Sequence, residues 1–271
     1  MNTVYVERKF VLMGARFKKV PPTESHPWHR GPVDYAIDIG RDSQGEYFEL
    51  SVPEILSESL ELTVLQAKPR DRHLLLMVRK KQSPTIDRFL CGHDERSWFV
   101  AAVPSRASNV CDALEALKPE TVRNAQVVHH VRGRKRQRRK NRAFKRQGEW
   151  FFVPANDLSV EEARVITNEP IQRGGGKPHV IDYIYRTGGE SVYVCQFYPN
   201  GVVEDTYKEL LRRDPHLRKQ KWVVMRRNAG VFARGRVRHP DHATIVLHDW
   251  HAVFMNTESE SRTMRNVAFL D

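Results

Sequence analysis

The chain has 271 residues, 45 of them Lys or Arg against 33 Asp or Glu, for a net charge of +12; 40% of its residues are apolar. That apolar content suffices for a core and excludes wholesale disorder, and no apolar run approaches the ~20 residues of a membrane helix. Three cysteines (Cys91, Cys111 and Cys195) with no CxxC pair exclude a disulfide framework and a thiolate zinc site, so a reducing compartment is expected.

The first hundred residues read as strands. Val4, Val6 and the run Phe10 to Met13 predict an opening β-segment, followed by Tyr35 to Ile39, Tyr47 to Leu50, Leu60 to Leu65, His73 to Val78 and the stretch Arg88 to Val103. The charged residues already present from Val6 to Phe10 do not fit a secretory leader. A helix is predicted from about Ala107, with Val110, Ala113, Leu114 and Leu117 at helical spacing and Pro119 beyond its end. A second helical stretch starts at Pro119. Glu149 to Val153 is a compact apolar strand, Asp157 to Ala163 a helix start with acids in its first turn, and Gly174 to Gly176 a loop. Val180 to Tyr185 and Ser191 to Tyr198 read as a strand pair, and Val203 to Arg213 as a helix. Trp222 to Arg226, Val231 to Arg238, Thr244 to Leu247 and Trp250 to Met255 return to strands, with weak order expected from about Glu258. Ser97 to Pro104 and Glu149 to Pro154 share Trp-Phe followed by Val-Pro, which is either a duplicated strand–helix unit or two ordinary core strands. The fold class expected is a β-rich α+β protein of antiparallel sheets with a few short helices. Its expected parts are a β-rich domain over 1–130, a basic flexible connector over 131–147 and an α+β domain over 148–271.

The charge is not spread evenly. Residues 132–146 hold ten basic and no acidic side chains, and residues 208–238 hold eleven basic and two acidic ones. The first block is Arg132, Arg134, Lys135, Arg136, Arg138, Arg139, Lys140, Arg142, Lys145 and Arg146, with Phe144 as its one aromatic. Ten like charges in fifteen residues repel one another, so the block should not fold alone. A polyanion would supply what is missing, because each neutralised phosphate releases condensed counterions. Guanidinium forks pair bidentately with phosphate and stack on bases, and Phe144 would add a stacking surface. The competing readings are a solvated linker, a nuclear import signal or a tether to an acidic protein. The block has no apolar face to bury in a membrane surface.

The second block looks folded. Val231 to Arg238 alternates, so Phe232, Arg234, Arg236 and Arg238 share one strand face, with Arg226 and Arg227 on a neighbouring strand. Gly235 would let a backbone or a phosphate approach closely. The bland reading is an exposed face with acidic cross-strand partners.

Near the C-terminus, His239-Pro-Asp-His242 is followed by His248-Asp-Trp-His251. Imidazole and carboxylate suit zinc or manganese, and a reduced site would use His239, His242 and one of Asp249 or His251. Turn chemistry explains the same residues without a metal. Gly174 to His179 lacks the Ser or Thr and the helix of a phosphate loop and reads as a hairpin entry. His93-Asp94-Glu95 reads as a polar turn, and the three cysteines as buried thiols.

The function expected is therefore nucleic-acid binding, RNA or DNA, with no cofactor and no catalysis by this chain, in a cytoplasmic protein (nuclear if the source has a nucleus). The alternatives are a divalent-metal nuclease or phosphoesterase built on the histidines, and an adaptor for an acidic protein.

Overall fold

The computed structural model describes residues 3–22, 35–81, 83–84, 86–172 and 177–258. Two compact units divide between Arg142 and Ala143, and residues 255–258 rejoin the first. Both are built mainly of antiparallel sheet with short helices, a β-rich α+β fold.

The first unit opens with a helix, α1 (Thr3–Leu12), and not with the strand expected. Val6, Phe10 and Met13 recur at spacings of four and three, and all are buried, whereas a strand would have buried alternate residues. Strands β1 (Phe17–Val20), β2 (Ala36–Asp42) and β3 (Gly45–Ser51) form a three-stranded sheet in the order β1-β3-β2. After the short helix α2 (Glu54–Ser57) come β4 (Leu60–Lys68), β5 (His73–Lys80), β6 (Ile86–Asp94) and β7 (Ser97–Val103), an antiparallel meander. Its two faces are both covered. Leu74, Leu76, Val78 and Cys91 pack with α1 and the small sheet, while Leu75, Leu90, Ala101 and Val103 pack on α3 (Val110–Ala116). Burial on both sides explains why Leu74 to Val78 is a continuous apolar run and does not alternate. Asn109 caps α3 by accepting from the Asp112 amide, and α4 (Glu120–Val128) follows Pro119.

The returning chain closes this unit. The Thr257 amide donates to the Leu117 carbonyl at 3.0 Å and its hydroxyl to the Ala116 carbonyl at 2.8 Å. Glu258 accepts from the Ala102 amide at 3.1 Å. The end of α3, which would otherwise leave carbonyls unpaired, is thus satisfied by residues from the far end of the sequence.

The second unit starts with β8 (Lys145–Gln147) and β9 (Trp150–Pro154). The helix expected at Asp157 is absent; the segment makes only a 3-10 turn at Glu162–Arg164, with Glu161 and Glu162 exposed and no buried residue on the turn. Strands β10 (Ile166–Ile171) and β11 (His179–Thr187) follow. Next come β12 (Glu190–Cys195), β13 (Tyr198–Val202), helix α5 (Glu204–Arg213) and β14 (Val223–Arg227). The chain then runs through β15 (Gly230–His239) and β16 (His242–Met255). The strands form a six-stranded sheet, β10-β11-β15-β16-β9-β8, and a three-stranded one, β13-β12-β14. The expected pairing of β11 with β12 does not occur: β11 pairs with β15, and β12 with β13 and β14. The two predicted C-terminal strands are one continuous strand, β16. The two Trp-Phe strands lie in different sheets, β7 and β9, and only the first is followed by an α-helix. The predicted Gly174–Gly176 loop and most of the predicted weak tail lie outside the described residues.

Candidate functional site

The Arg-rich run is ordered by acids that lie far from it in sequence. Residues Gly133–Gln137 form a 3-10 turn beside α3 and α4. The Arg136 guanidinium forks onto Glu115, from Nε at 3.1 Å and Nη2 at 2.9 Å, and Gln137 donates to the same carboxylate at 2.7 Å. The Arg136 carbonyl accepts from Lys118 Nζ at 2.8 Å and from Gln126 Nε2 at 2.9 Å. Lys118, only 4% exposed, also pairs with Glu115 at 2.7 Å. Downstream, Arg139 bridges Asp94 and Glu95, the latter at 2.7 Å, in the turn between β6 and β7. That turn is the one read from sequence as polar, and here it serves as an anchor.

The flexible connector expected over 131–147 is therefore corrected. Repulsion within the run is offset by Glu115, Asp94 and Glu95, which local sequence reasoning could not bring near it. Phe144 is corrected too. At 2% exposure it packs edge-on against Phe151, with ring centroids 5.2 Å apart, and offers no face to a base. Lys145 is half-buried and donates to the Val246 carbonyl, and Arg146 is half-buried as well. The remaining cations of the run, Arg132, Arg134, Lys135, Arg138, Lys140 and Arg142, are exposed and have no ion-pair partner among the described residues.

The strand face of the second block is less free than its sequence implies. Arg236 and Arg238 share one carboxylate, Asp182, at 3.1 and 3.0 Å. The Arg236 amide at 2.9 Å is the largest of the influences that hold the Asp182 carboxyl below its usual range, with the two guanidiniums adding to it. Arg234 lies over the rings of Trp250 at 4.8 Å and Tyr183 at 5.3 Å. Arg227 pairs with Glu190 at 2.8 Å, and Arg226 donates to the Gly188 carbonyl at 2.9 Å. Gly235 is not an opening for a phosphate. Its φ is +90°, and a Cβ there would lie 2.7 Å from Asp182 Cβ, so the glycine admits the neighbouring strand at a β-bulge. Cations that sequence reasoning left off this site, Arg212, Arg218, Lys219 and Lys221, are exposed on and after α5 without an ion pair among the described residues.

The histidines divide into two places. β15 and β16 pair so that His239 lies opposite His242, and the β11–β15 register of Val180 with Arg238 brings His179 next to His239. The three rings form a row: centroids are 4.2 Å apart for His179–His239, 4.6 Å for His239–His242 and 5.7 Å for His179–His242. One ligand nitrogen from each lies within 4.8 Å of the others. His179 is 1% exposed, and neither of its ring nitrogens has a hydrogen-bond partner among the described residues. Burial first, and then the neighbouring His239 and His242, push its pKa down to about 3, so the ring is neutral at physiological pH. Asp249 and His251, expected beside His239 and His242, are not there. They sit well along β16, where His251 is buried and its Nδ1 contacts the Asp249 carbonyl at 2.7 Å. A fully extended strand carries them away from its own first residue. His179 was the residue missed, and its signal was the antiparallel pairing of β11 with β15.

Cys111 is exposed, with Lys68 Nζ 3.0 Å from its sulfur, against the expectation of three buried thiols; Cys91 and Cys195 are buried. Among the described residues no helix is long and apolar enough to cross a membrane. No family model, curated protein or solved structure matches the chain.

Proposed function

We propose that this protein binds nucleic acid through the exposed cations of its Arg-rich run. One observation carries the reading: Arg136 and Arg139 are held by acids, while Arg132, Arg134, Lys135, Arg138, Lys140 and Arg142 project from the anchored segment without ion-pair partners among the described residues. A segment already fixed in place loses less conformational entropy on binding than a free arm does, so its counterion-release gain is offset less. The exposed cations after α5 add to the same electrostatic reading. The β15 face contributes less, since Asp182 balances two of its arginines. The three free thiols fit a reducing, cytoplasmic setting.

The test is a salt titration with labelled duplex DNA and labelled single-stranded RNA, followed by fluorescence anisotropy. Replacing Arg134, Lys135, Arg138, Lys140 and Arg142 with Gln should reduce the slope of log affinity against log salt by roughly 0.7–0.9 per engaged phosphate, the smaller figure for single strands. Arg136 and Arg139 are left intact so that the segment stays anchored. An unaltered slope, or no binding of either polymer by the wild-type chain at low salt, overturns the reading. A companion variant, Arg236→Gln with Arg238→Gln, is expected to change the slope less than the five-site variant does.

A further inference from the structure

We propose that His179, His239 and His242 form a binding site for a divalent transition metal of the zinc class. The inference is independent of nucleic-acid binding and rests on the second unit alone.

The three residues come from three adjacent strands, β11, β15 and β16, and the sheet register brings them side by side. Cross-strand neighbours on one face of a sheet lie about 4.5–5.5 Å apart at Cβ, so the register alone accounts for their proximity. It does not account for the nitrogens. A buried polar group left without a partner is costly, and His179, at 1% exposure, leaves two such nitrogens. Stacking of the rings satisfies neither of them. A bound cation would satisfy one of them by taking its lone pair, and neutral imidazole is the form that can donate it.

The Nε2 atoms of two of the rings face the same stretch of backbone. The turn between β8 and β9 passes there as Gly148, at φ +56°. A side chain at that position would start 3.0 Å from His242 Nε2 and 3.2 Å from His179 Nε2. The glycine therefore meets the backbone demand of the turn and keeps a side chain from crowding those two nitrogens. The Asp241 amide donates to His239 Nδ1 at 3.1 Å, so coordination at that nitrogen would replace one weak hydrogen bond. Asp241 itself is engaged by Lys177 at 2.8 Å, and Glu149 lies near enough to His239 to act on its charge, so the three imidazoles form the donor set. Three neutral nitrogens suit Zn²⁺ and its borderline neighbours, whereas Mg²⁺ and Ca²⁺ take oxygen ligands. Three protein ligands on a four-coordinate ion also leave one position for water or a further ligand.

The experiment uses the full chain, free of any histidine tag, stripped with a chelator and titrated with Zn²⁺ by calorimetry. Co²⁺ serves as a spectroscopic stand-in, and metal content is read by mass spectrometry. One Zn²⁺ per chain is expected, with the visible absorption of tetrahedral Co²⁺. Because His179 is buried and its replacement threatens folding, the variants are His239→Gln and His242→Gln, with circular dichroism to verify the fold. Each should lower Zn²⁺ affinity by more than the roughly 10–100-fold that loss of an outer-shell partner costs. His248→Gln, which lies outside the cluster, should leave affinity unchanged. Substoichiometric binding, or binding that both cluster variants retain at wild-type strength, overturns the proposal.

Discussion

Glu115→Ala is expected to destabilise the first unit by about 3 kcal/mol, the cost typical of removing one partner from a buried ion pair. The reason is what it leaves behind. Lys118 would keep an ammonium in a site that is 4% exposed, and Arg136 would lose both legs of its fork. The charge, and not the lost contacts, dominates. A second change that removes it, Lys118→Met, should recover part of the loss in the double variant, as replacement of a buried pair by apolar side chains often does. Urea unfolding of wild type, both single variants and the double variant measures the coupling; simple additivity would show that Lys118 does not depend on Glu115. The pH dependence follows from the same geometry. Burial pushes the Glu115 carboxyl up, but hydrogen bonds from Arg136 and Lys118 outweigh it, and the group is held below its ordinary value. A carboxylate depressed in the folded state contributes stability that is complete above its unfolded pKa of about 4.3 and is lost as pH falls through the folded value. The gap between wild type and Glu115→Gln should therefore be full at neutral pH and close as the solution is acidified below about 4. A gap that persists unchanged at pH 3 would assign the effect to packing.

Gly235→Ala is expected to cost the second unit about 3 kcal/mol. Two contributions add: a non-glycine residue at φ +90° is strained by about 1–3 kcal/mol, and the new methyl would overlap Asp182 Cβ at 2.7 Å, an overpacking worth a similar amount. Gly188→Ala supplies the comparison. Its φ is +72°, but nothing lies within 4 Å of the added carbon, so only the backbone strain of about 1–2 kcal/mol applies. Equal losses at the two positions would mean that the contact with Asp182 relaxes freely. If Asp182 does move to make room, it shifts away from Arg236 and Arg238, and both guanidiniums should become more accessible to chemical modification in the variant.

How much of this was legible depends on the range of the interaction. Segments whose burial repeats within a few residues were readable: the run Leu74 to Val78, the α3 face of Val110, Ala113 and Leu117, and the alternation of Val231, Ala233 and Val237 all reappear as packed faces. The opening helix was misread because β-branched Val4 and Val6 favour strand locally, while the spacing of Val6, Phe10 and Met13 pointed the other way and the tertiary core decided. Long-range pairing was not readable. Nothing near residues 132–146 announces that Glu115, Asp94 and Glu95 will meet them, so mutual repulsion was given more weight than it has in the folded chain. The histidine site shows the same limit. His239 and His242 were found because a tight turn joins them, and Asp249 and His251 were wrongly added because they are close in sequence. His179 follows only once β11 is known to pair with β15.

The crossing of the chain back from Phe254 to Met255 has a consequence for biosynthesis. Domains commonly fold in order as they leave the ribosome, the N-terminal one first. Here the N-terminal unit is still missing Thr257 and Glu258 when its first 142 residues have emerged, and it must wait while the whole of the second unit is translated. A gene cut after codon 142 would not encode the residues that pair with the end of α3.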